Sequence, residues 1–494
     1  MEQHYVIGVD IGTQGTKTAL FSVDGQKVAE SFEKSELICP APGEVCQEPE
    51  EIYGSVVRTI RQSIERAGVP KEKILALGMD SQMAGIMAVD KDFKAVGPYD
   101  SWLDTRCAPY IMKMKQQAED EIIRKTGGPV TCTHGPKILH RKYEFPQEYA
   151  RIAKFVLPGT YVAGRLCGLK AEDAYIDYTH LHFTGFADNQ NKSWDSGLLM
   201  EFGIEKEKMP DIVSPWKVVG ALTKAAAEES GLSEGTKVVA GCGDSAASAL
   251  GAGIVEKNMI YDVAGTASIF ACSTDNYTPD QNEKTILFSR SVIDGLYTPL
   301  AYISGGGLCL KWFLEQHGES YAYWNREAEK IEAGSRGLYF VPHFSGRTCP
   351  GVPDMRGAFS GLSFYHQAGH MYRSILESIA YEYHLYFSIL KEQNPHIAPQ
   401  AIYGAGGGTK SGIFNQIKAD VLGIPYRPLE DADTAVYASA MLAAFGIGRI
   451  PDLKAAMKVQ YKEEIYMPQK GNSGLYKGYA KQYARLLKLL GEFY

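Results

Sequence analysis

The sequence contains one short pattern twice: two apolar strands joined by a Gly-Thr turn. The first copy has its turn at Gly12-Thr13, between apolar segments 5–10 and 17–23. The second copy begins near Met259 and has its turn at Gly265-Thr266. This repetition predicts two similar halves, each presenting a Gly-Thr turn. A chain of 494 residues has room for two or three domains, which agrees with that interpretation.

The segments around the turns predict an α/β fold, because strands alternate with helices that are long enough to cross over a sheet. In the first half we predict strands at 5–10, 17–23, from Lys27 and at 74–79, with a helix at 50–67. In the second half we predict a helix at 370–390, a strand at 401–403 and a helix at 411–422. We place an N-terminal domain at 1–254, with an inserted helical region at about 136–215, and a C-terminal domain at 255–494.

The charge and cysteine content exclude several classes of protein. The net charge of −7 gives no excess of positive charge that would attract phosphate backbones or anionic lipid, so we expect no nucleic-acid partner. The segment 434–448 is too short to span a bilayer, and we expect no membrane association. Nine cysteines without a C-x-x-C pair predict free thiols and a cytoplasmic location.

Residues 10–17, Asp-Ile-Gly-Thr-Gln-Gly-Thr-Lys, suit the binding of a nucleoside triphosphate. Glycines there allow backbone N–H groups to point at an anion, and the carboxylate of Asp10 can hold hydrated Mg²⁺ beside phosphate. The segment is not a Walker A loop, because a strand rather than a helix follows it. A plain β-hairpin with turn-favouring residues is the alternative interpretation.

Residues 241–246, Gly-Cys-Gly-Asp-Ser-Ala, allow three interpretations. They fit a loose dinucleotide fingerprint in which Asp262 would bind a ribose, although the Asp244 carboxylate would repel a pyrophosphate. Asp244 could instead cap a helix that begins at Ser245. It could also be a general base, and the capping and basic roles are compatible.

The glycine run at 404–408 lies between a predicted strand and a predicted helix, which favours a positioned turn over a flexible loop. Without side chains, such a turn lets a flat ring or a phosphate lie directly on the backbone.

These residues resemble the FGGY carbohydrate kinases, two-domain members of the actin-like ATPase superfamily. The most specific match is the run 357–362, followed after seven residues by His370-Met371 and by 374–377. The segments 102–106, 135–139, 243–244 and 406–408 with 416–423 are also similar to the family's motifs. The resemblance implies two actin-like, ribonuclease-H-like α/β domains with an ATP cleft between them.

The resemblance also implies roles for individual residues. Asp244 would take the proton from the sugar hydroxyl, and Asp10 would orient Mg²⁺. The sugar would contact Gln82, Met83, Ala84, Trp102, Asp104 and Ser245. ATP would contact Gly12, Thr13, Gln14, Lys17, Gly265, Thr266, Gly305, Gly306, Gly406, Gly407, Gly408 and Lys410. Each role suits phosphoryl transfer, which asks a protein chiefly for positioning and charge neutralisation.

Within the family, residues 81–85 look most like the xylulokinase G-Q-M-H-G segment, which makes D-xylulose the first expected acceptor. Ala84 replaces the histidine, and Ser245 replaces the asparagine that usually follows the catalytic Asp. Each change removes a sugar hydrogen bond worth about 1 kcal/mol. Ribulose, erythritol, gluconate and glycerol therefore stay open as acceptors, as does a homodimeric state. An actin-like ATPase without a sugar substrate is the alternative from another class.

Overall fold

The computed structural model describes residues 3–430 and 434–494, which form two compact units. Unit 1 comprises the described residues of 3–255, 289–296 and 434–458, and unit 2 comprises those of 256–288, 297–430 and 459–494. Each unit has a central β-sheet with helices packed against it, so the predicted α/β class is confirmed.

The strands, in chain order, are β1 (Tyr5–Ile11), β2 (Gly15–Ser22), β3 (Lys27–Lys34), β4 (Cys46–Gln47), β5 (Ile74–Ser81), β6 (Met87–Val89), β7 (Tyr99–Asp100), β8 (Lys154–Val156), β9 (Tyr175–Asp177), β10 (Ala187–Asp188), β11 (Ser193–Trp194), β12 (Asp211–Val213), β13 (Val218–Ala221), β14 (Lys237–Val239), β15 (Cys242–Gly243), β16 (Ile260–Ala264), β17 (Ser268–Cys272), β18 (Leu287–Arg290), β19 (Tyr297–Ile303), β20 (Tyr339–Val341), β21 (Ala358–Ser360), β22 (Ile402–Ala405) and β23 (Tyr426–Pro428). The α-helices are α1 (Pro49–Ala67), α2 (Ala108–Thr126), α3 (His134–Glu144), α4 (Pro146–Arg151), α5 (Pro158–Cys167), α6 (Ser196–Glu201), α7 (Lys224–Ser230), α8 (Asp244–Gly251), α9 (Gly306–His317), α10 (Tyr321–Glu329), α11 (Ala368–Gln393), α12 (Gly412–Leu422), α13 (Thr434–Gly446), α14 (Leu453–Ala456) and α15 (Lys470–Phe493).

The sheet of unit 1 has the strand order β13-β14-β5-β1-β2-β3, with β15 paired to β5. Strands β1, β2 and β3 form the predicted antiparallel meander, and β1 also pairs in parallel with β5. Strands β14 and β15 continue the parallel part of the sheet on the other side of β5. The carboxyl ends of β1, β5 and β15 therefore meet at one edge of the sheet.

The sheet of unit 2 has the order β18-β19-β17-β16-β22-β23 and repeats the same arrangement. Strands β16, β17 and β19 form an antiparallel meander, and β16 pairs in parallel with β22. The repetition of the Gly-Thr turn therefore corresponds to a repetition of structure, as the sequence predicted.

Helix α13 lies in unit 1, although it comes late in the chain. It packs against β1, β5 and α8. The approach is close because two glycines face it: a Cβ atom on Gly8 would lie 1.9 Å from the Val436 oxygen, and one on Gly251 would lie 1.9 Å from the Thr434 oxygen. Unit 1 is therefore built from segments that are separate in sequence. The domains that we placed on either side of 254/255 are each one continuous segment, and that division stays a prediction.

The region at 136–215 contains most of α3, helices α4 to α6 and strands of only two or three residues. Many of its buried apolar side chains, including Ile138, Leu181 and Phe186, share one cluster with residues of 86–130, whereas those of α5 belong to the cluster that contains the side chains of β1 and β5. Throughout the described parts of the chain, no helix is both long enough and apolar enough to cross a bilayer.

Candidate active site

Three carboxyl groups lie at the edge of the unit 1 sheet where its parallel strands end. Asp10 and Asp80 are directly paired residues of β1 and β5. Asp244 follows β15, whose Cys242 is paired with Asp80. Burial raises the pKa of Asp244 to about 7, and the negative charge of Asp10 adds to the effect. Burial, with Asp10 as the second cause, also raises the pKa of Asp80 well above its usual value.

The Asp244 side chain is held by the residue that follows it. Its Oδ1 accepts hydrogen bonds from the backbone N–H of Ser245, at 2.6 Å, and from the Ser245 hydroxyl, at 3.2 Å. Within the part of the chain that the structure describes, Oδ2 has no hydrogen-bond donor. An oxygen in that state can accept a proton from a substrate hydroxyl.

The predicted capping role of Asp244 is wrong. Helix α8 begins at Asp244 itself, its N-cap is Gly243, and the side chain makes no capping hydrogen bond. An N-cap side chain accepts from the second or third helical N–H group, whereas Asp244 accepts from the adjacent Ser245. The carboxylate therefore does not close the helix terminus.

The first Gly-Thr turn contacts two of the predicted sugar-binding residues. Gly12 N–H donates to the Gly15 oxygen at 3.0 Å and closes the turn. The Thr13 hydroxyl donates to Gln82 Oε1 at 3.2 Å and accepts from Trp102 Nε1 at 2.8 Å. Gln82 in turn donates through Nε2 to Gln47 Oε1 at 2.7 Å. Residues predicted separately for phosphate and for sugar thus form one hydrogen-bonded group.

Gln14 and Lys17, the other two predicted ATP contacts of this segment, lie at the tip of the turn and on β2. Gln14, at the tip of the turn, is exposed. Lys17 is paired with Asp10 in the β1–β2 register, and its Nζ lies 3.7 Å from Glu30 Oε2.

The segment after β5 has an unusual backbone at Ala84. Ala84 has a φ of +63°, in the left-handed region that side-chain-bearing residues rarely adopt. Met83 packs on Gly243, where a Cβ atom would lie 2.4 Å from the Met83 sulfur. Met83 therefore lies against the residue that precedes Asp244.

Asp104 is bound by other protein groups. Arg106 Nε donates to Asp104 Oδ2 at 2.8 Å, and the N–H of Val45 donates to the same oxygen at 3.0 Å. The backbone N–H of Arg106 donates to Oδ1 at 3.1 Å. A direct contact of Asp104 with a sugar stays a prediction.

Two residues of this region were missed by sequence reasoning. Lys137, fully buried, donates through Nζ to the Ser101 oxygen at 2.9 Å and to the Asp104 oxygen at 2.6 Å, so it fixes the loop that carries Trp102. Asp80 had a readable signal, because it ends an apolar strand just before Gln82. Lys137 lies in the segment 135–139, which is similar to a family motif, but its contact with this loop had no local signal, because only tertiary structure brings the two together.

In unit 2, the second Gly-Thr turn packs directly on the start of α9. The N–H groups of Gly307 and Leu308 donate to the Thr266 oxygen at 3.0 and 3.3 Å. A Cβ atom on Gly306 would lie 2.1 Å from the Ser268 hydroxyl oxygen. The predicted phosphate residues Gly265, Thr266, Gly305 and Gly306 are therefore brought together.

The glycine run at 404–408 adjoins the same turn. Gly406, with a φ of +89°, ends β22, and residues 407–410 form a short 3₁₀ helix. A Cβ atom on Gly408 would lie 2.6 Å from that of Ala264, next to Gly265. Lys410 is exposed at the end of this helix. The glycines that were predicted to bind ATP in unit 2 thus lie next to the same Gly-Thr turn.

Asp262 cannot bind a ribose, so the dinucleotide interpretation is wrong. Its carboxylate is fully buried and forms an ion pair with Lys418. It also accepts hydrogen bonds from the hydroxyls of Tyr383, at 2.7 Å, and Tyr426, at 2.6 Å. These contacts join strands β16 and β23 to helices α11 and α12.

Comparisons with known proteins show the family of the chain. Residues 5–251 match the N-terminal domain of the FGGY family of carbohydrate kinases, and residues 261–447 match the C-terminal domain. The chain belongs to the FGGY family of carbohydrate kinases. As an FGGY kinase it phosphorylates a carbohydrate-type acceptor and uses ATP.

The relatives of this FGGY kinase at similar identity are named for two different substrates, xylulose and gluconate. It is 27% identical to the xylulose kinase of Bacillus subtilis, over 96% of this chain and 94% of that protein. It is 25% identical to the gluconokinase of the same organism, over 99% and 97%. Its fold matches the ligand-bound xylulose kinase of Lactobacillus acidophilus with a TM-score of 0.92, at 24% identity over 99% of this chain and all of that one. The gluconate kinase of L. acidophilus matches with 0.91, at 24% identity over 99% of both chains.

Proposed function

We propose that this FGGY kinase transfers the γ-phosphoryl group of ATP to a terminal hydroxyl of a ketopentose, with D-xylulose as the first candidate. Asp244 acts as the general base. The observation that carries the proposal is the position of Asp244 at the end of the parallel strands, with one carboxylate oxygen held by Ser245 and the other able to accept a proton. A pKa of about 7 suits a base that works near neutral pH.

The residues present fit a magnesium ion at Asp10. Among residues 3–430 and 434–494, no group of three or more His, Cys, Asp or Glu side chains is arranged to hold a metal ion. Mg²⁺ in phosphoryl-transfer enzymes is commonly bound by only one or two carboxylates, together with phosphate oxygens and water. Asp10, beside the glycine turn, supplies such a ligand. A magnesium ion bound there would neutralise charge on the phosphates.

We assign the remaining contacts by unit. In unit 1, the turn at Gly12-Thr13 contacts phosphate, and Gln82, Met83 and Trp102 contact the acceptor. In unit 2, the turn at Gly265-Thr266 and the adjoining Gly305-Gly306 contact phosphate. The backbone of residues 406–408 receives the adenosine. Support comes from the hydrogen bonds and close approaches that join these residues within each unit.

The charges in the predicted sugar-binding segment favour an uncharged acceptor over an aldonate such as gluconate. Because the terminal hydroxyl lies at Asp244 in this proposal, the carboxylate of an aldonate lies at the opposite end of the acceptor and needs a cation there. Arg106, the arginine of the predicted sugar-binding segment, already contacts the carboxylates of Glu44, Asp100 and Asp104. A ketopentose needs no such cation, because it carries no charge.

The first experiment replaces the base. Asp244→Asn should lower kcat by at least about a thousandfold, since proton transfer contributes roughly 10² to 10⁴ in rate and the amide also alters the local charge. ATP affinity, measured by calorimetry, should change little. Asp211→Asn, at an exposed aspartate of β12 in the same unit, is the matched control. Near-normal turnover of Asp244→Asn would remove Asp244 from the mechanism.

The second experiment identifies the acceptor by measuring ADP release with D-xylulose, ribulose, erythritol, gluconate and glycerol. We expect a pentulose to give the highest kcat/KM. A highest value for gluconate would reject the charge argument and assign the chain to the activity of its gluconokinase relatives. ADP release that no sugar stimulates would favour an ATPase without a sugar substrate.

We also propose that the protein works in the cytoplasm. All nine cysteines are free thiols, which is typical of a reducing compartment.

A further inference from the structure

A chain of buried polar contacts leads from His180 to the peptide that precedes Asp244. His180 Nε2 lies 3.3 Å from Asp177 Oδ2. The other oxygen of Asp177 accepts from the Thr179 hydroxyl and, at 2.9 Å, from the Thr179 N–H. The Thr179 hydroxyl oxygen then accepts from the backbone N–H of Gly243 at 3.0 Å. All four groups are buried.

The direction of these hydrogen bonds follows from the chemistry of each group. A threonine hydroxyl has one proton, and because Asp177 takes it, the oxygen presents lone pairs to Gly243. Burial lowers the pKa of His180 to about 3, so the ring is neutral and one ring nitrogen carries a proton. Nε2 is the ring nitrogen that faces Asp177. The Thr179 oxygen therefore accepts from the Gly243 N–H while its own proton is directed at Asp177.

The Gly243 peptide determines where the Asp244 carboxylate lies. Gly243 pairs with Ser81 of β5, it is the N-cap of α8, and it packs on Met83. Glycine has no side chain that would restrict its backbone, so these contacts must set its orientation. Without the Thr179 acceptor, the buried N–H would lose its partner and the peptide would gain freedom to rotate.

We propose that Thr179, held by Asp177 and His180, is a positioning residue for Asp244: it fixes the peptide from which the base projects. This inference rests on the proposed function, in which Asp244 is the base. Thr179 does not touch the substrate. It acts by keeping the carboxylate within reach of the acceptor hydroxyl, and a small misplacement of a reacting group can cost up to about a hundredfold in rate.

The test compares three variants of the full-length protein. Thr179→Val keeps the shape of the side chain but removes the acceptor, and we expect kcat to fall roughly tenfold to a hundredfold while KM for ATP and for the sugar stays within about twofold. Thr179→Ser restores the hydroxyl and should recover kcat to within about threefold of the wild-type value. The control is Thr59→Val, at another fully buried threonine of unit 1, whose hydroxyl bonds to Ser55 and Thr18 on α1 and β2.

The control separates positioning from stability. Both valine variants lose one buried hydroxyl, so we expect similar decreases in melting temperature but a loss of kcat only in Thr179→Val. A kcat of folded Thr179→Val within twofold of wild type would overturn the inference, as would an equal loss in Thr59→Val. If Thr179→Val does not fold, Thr179→Cys, whose sulfur is only a weak acceptor, should still lower kcat at least about threefold without raising KM, and an unchanged kcat would overturn the inference equally.

The same assays keep this inference apart from the proposed function. If Asp244→Asn is inactive and Thr179→Val is fully active, the base assignment stands and the positioning role fails. If Asp244→Asn stays active, the proposed function fails, and the role of Thr179 fails with it.

Discussion

The Asp244 carboxyl group is both held in place and made more basic. Its hydrogen bonds with the adjacent Ser245 limit its motion, while burial, with the negative charge of Asp10 as the second cause, raises its pKa to about 7. By resemblance to the xylulokinases, an asparagine is expected after the proposed base, whereas here the hydroxyl of Ser245 contacts the Asp244 carboxylate itself. The exchange of asparagine for serine therefore bears on the base as well as on the acceptor.

The raised pKa predicts how activity depends on pH. Catalysis needs the ionised carboxylate, so kcat/KM should rise with pH and level off above about 7. Magnesium at Asp10 would offset part of the negative charge and lower the apparent pKa of this acidic limb, so the apparent pKa measured with Mg²⁺ should be 7 or lower. A profile of kcat/KM from pH 5 to 9 measures this apparent pKa.

The variant Asp244→Asn, which lacks the titrating carboxyl group, tests whether Asp244 causes this pH dependence. The residual activity of Asp244→Asn should not show the acidic limb. If that limb persists unchanged in Asp244→Asn, another group causes it and the basic role of Asp244 loses its main support.

Some of these residues could be predicted from sequence, and others could not, for a physical reason. Asp10 lies near the end of an apolar strand and Asp244 comes directly after one, so their position at a sheet edge is readable. Asp104 and Arg106 lie within one short loop, but the sequence does not show that their side chains pair with each other, because that depends on side-chain geometry. The Thr179 contact with Gly243 joins residues 64 positions apart, and no local pattern encodes it.

Helix α13 shows how an element late in the chain can be built into the first unit. Its residues are mostly small, and it faces Gly8 of β1 and Gly251 of α8, so backbones approach without side chains between them. Hydrophobic periodicity identifies a buried helix but does not say which sheet it covers. Gly8 and Gly251 mark the surface that α13 covers, but they can be recognised as its contact only when the position of α13 is known.

The close approach predicts that Gly251→Ala destabilises unit 1. The new Cβ atom would meet the Thr434 oxygen, a backbone atom that cannot turn away. Overpacking of this kind costs roughly 1 to 3 kcal/mol and should lower the melting temperature by several degrees. Differential scanning calorimetry measures the change.

Gly54→Ala, in the middle of α1, is the control for this prediction. Its Cβ atom would meet only the terminal nitrogens of Arg58, which can move, and alanine favours the helix by up to about 1 kcal/mol. We expect a melting temperature equal to or above that of wild type. Equal stability of Gly251→Ala and Gly54→Ala would show that α13 does not press on α8.

The two units repeat one plan, a three-stranded meander whose first strand pairs in parallel with a later strand. Sequence predicted this plan because a Gly-Thr turn between apolar strands is a local signal that survives in both halves. The buried ionic clusters were not predictable, because burial of a charge depends on the whole surrounding unit. In unit 2, Glu382 of α11 accepts hydrogen bonds from His343 Nε2, at 3.0 Å, and from the Tyr483 hydroxyl, at 2.8 Å.

This cluster predicts how the stability of the protein depends on pH. Burial alone would raise the pKa of Glu382, but the contacts with His343 and Arg347 and the hydrogen bond from Tyr483 outweigh it and hold the pKa at about 2. A carboxylate with a lowered pKa stabilises the fold fully above its unfolded value of 4.5, and the contribution is lost as the pH falls toward 2. Glu382→Gln should therefore lower the free energy of unfolding by about 3 kcal/mol at pH 7.

The difference between wild type and Glu382→Gln should shrink as the solution becomes more acidic, by about 1.4 kcal/mol for each pH unit between 4.5 and 2. Urea unfolding at pH 7, 5, 4 and 3 measures it, with Glu392→Gln as the control because that glutamate is exposed on the same helix. The control should match wild type at every pH. A constant difference for Glu382→Gln across the range would mean that its effect comes from packing, because only an ionised carboxylate in the native state makes the difference depend on proton concentration.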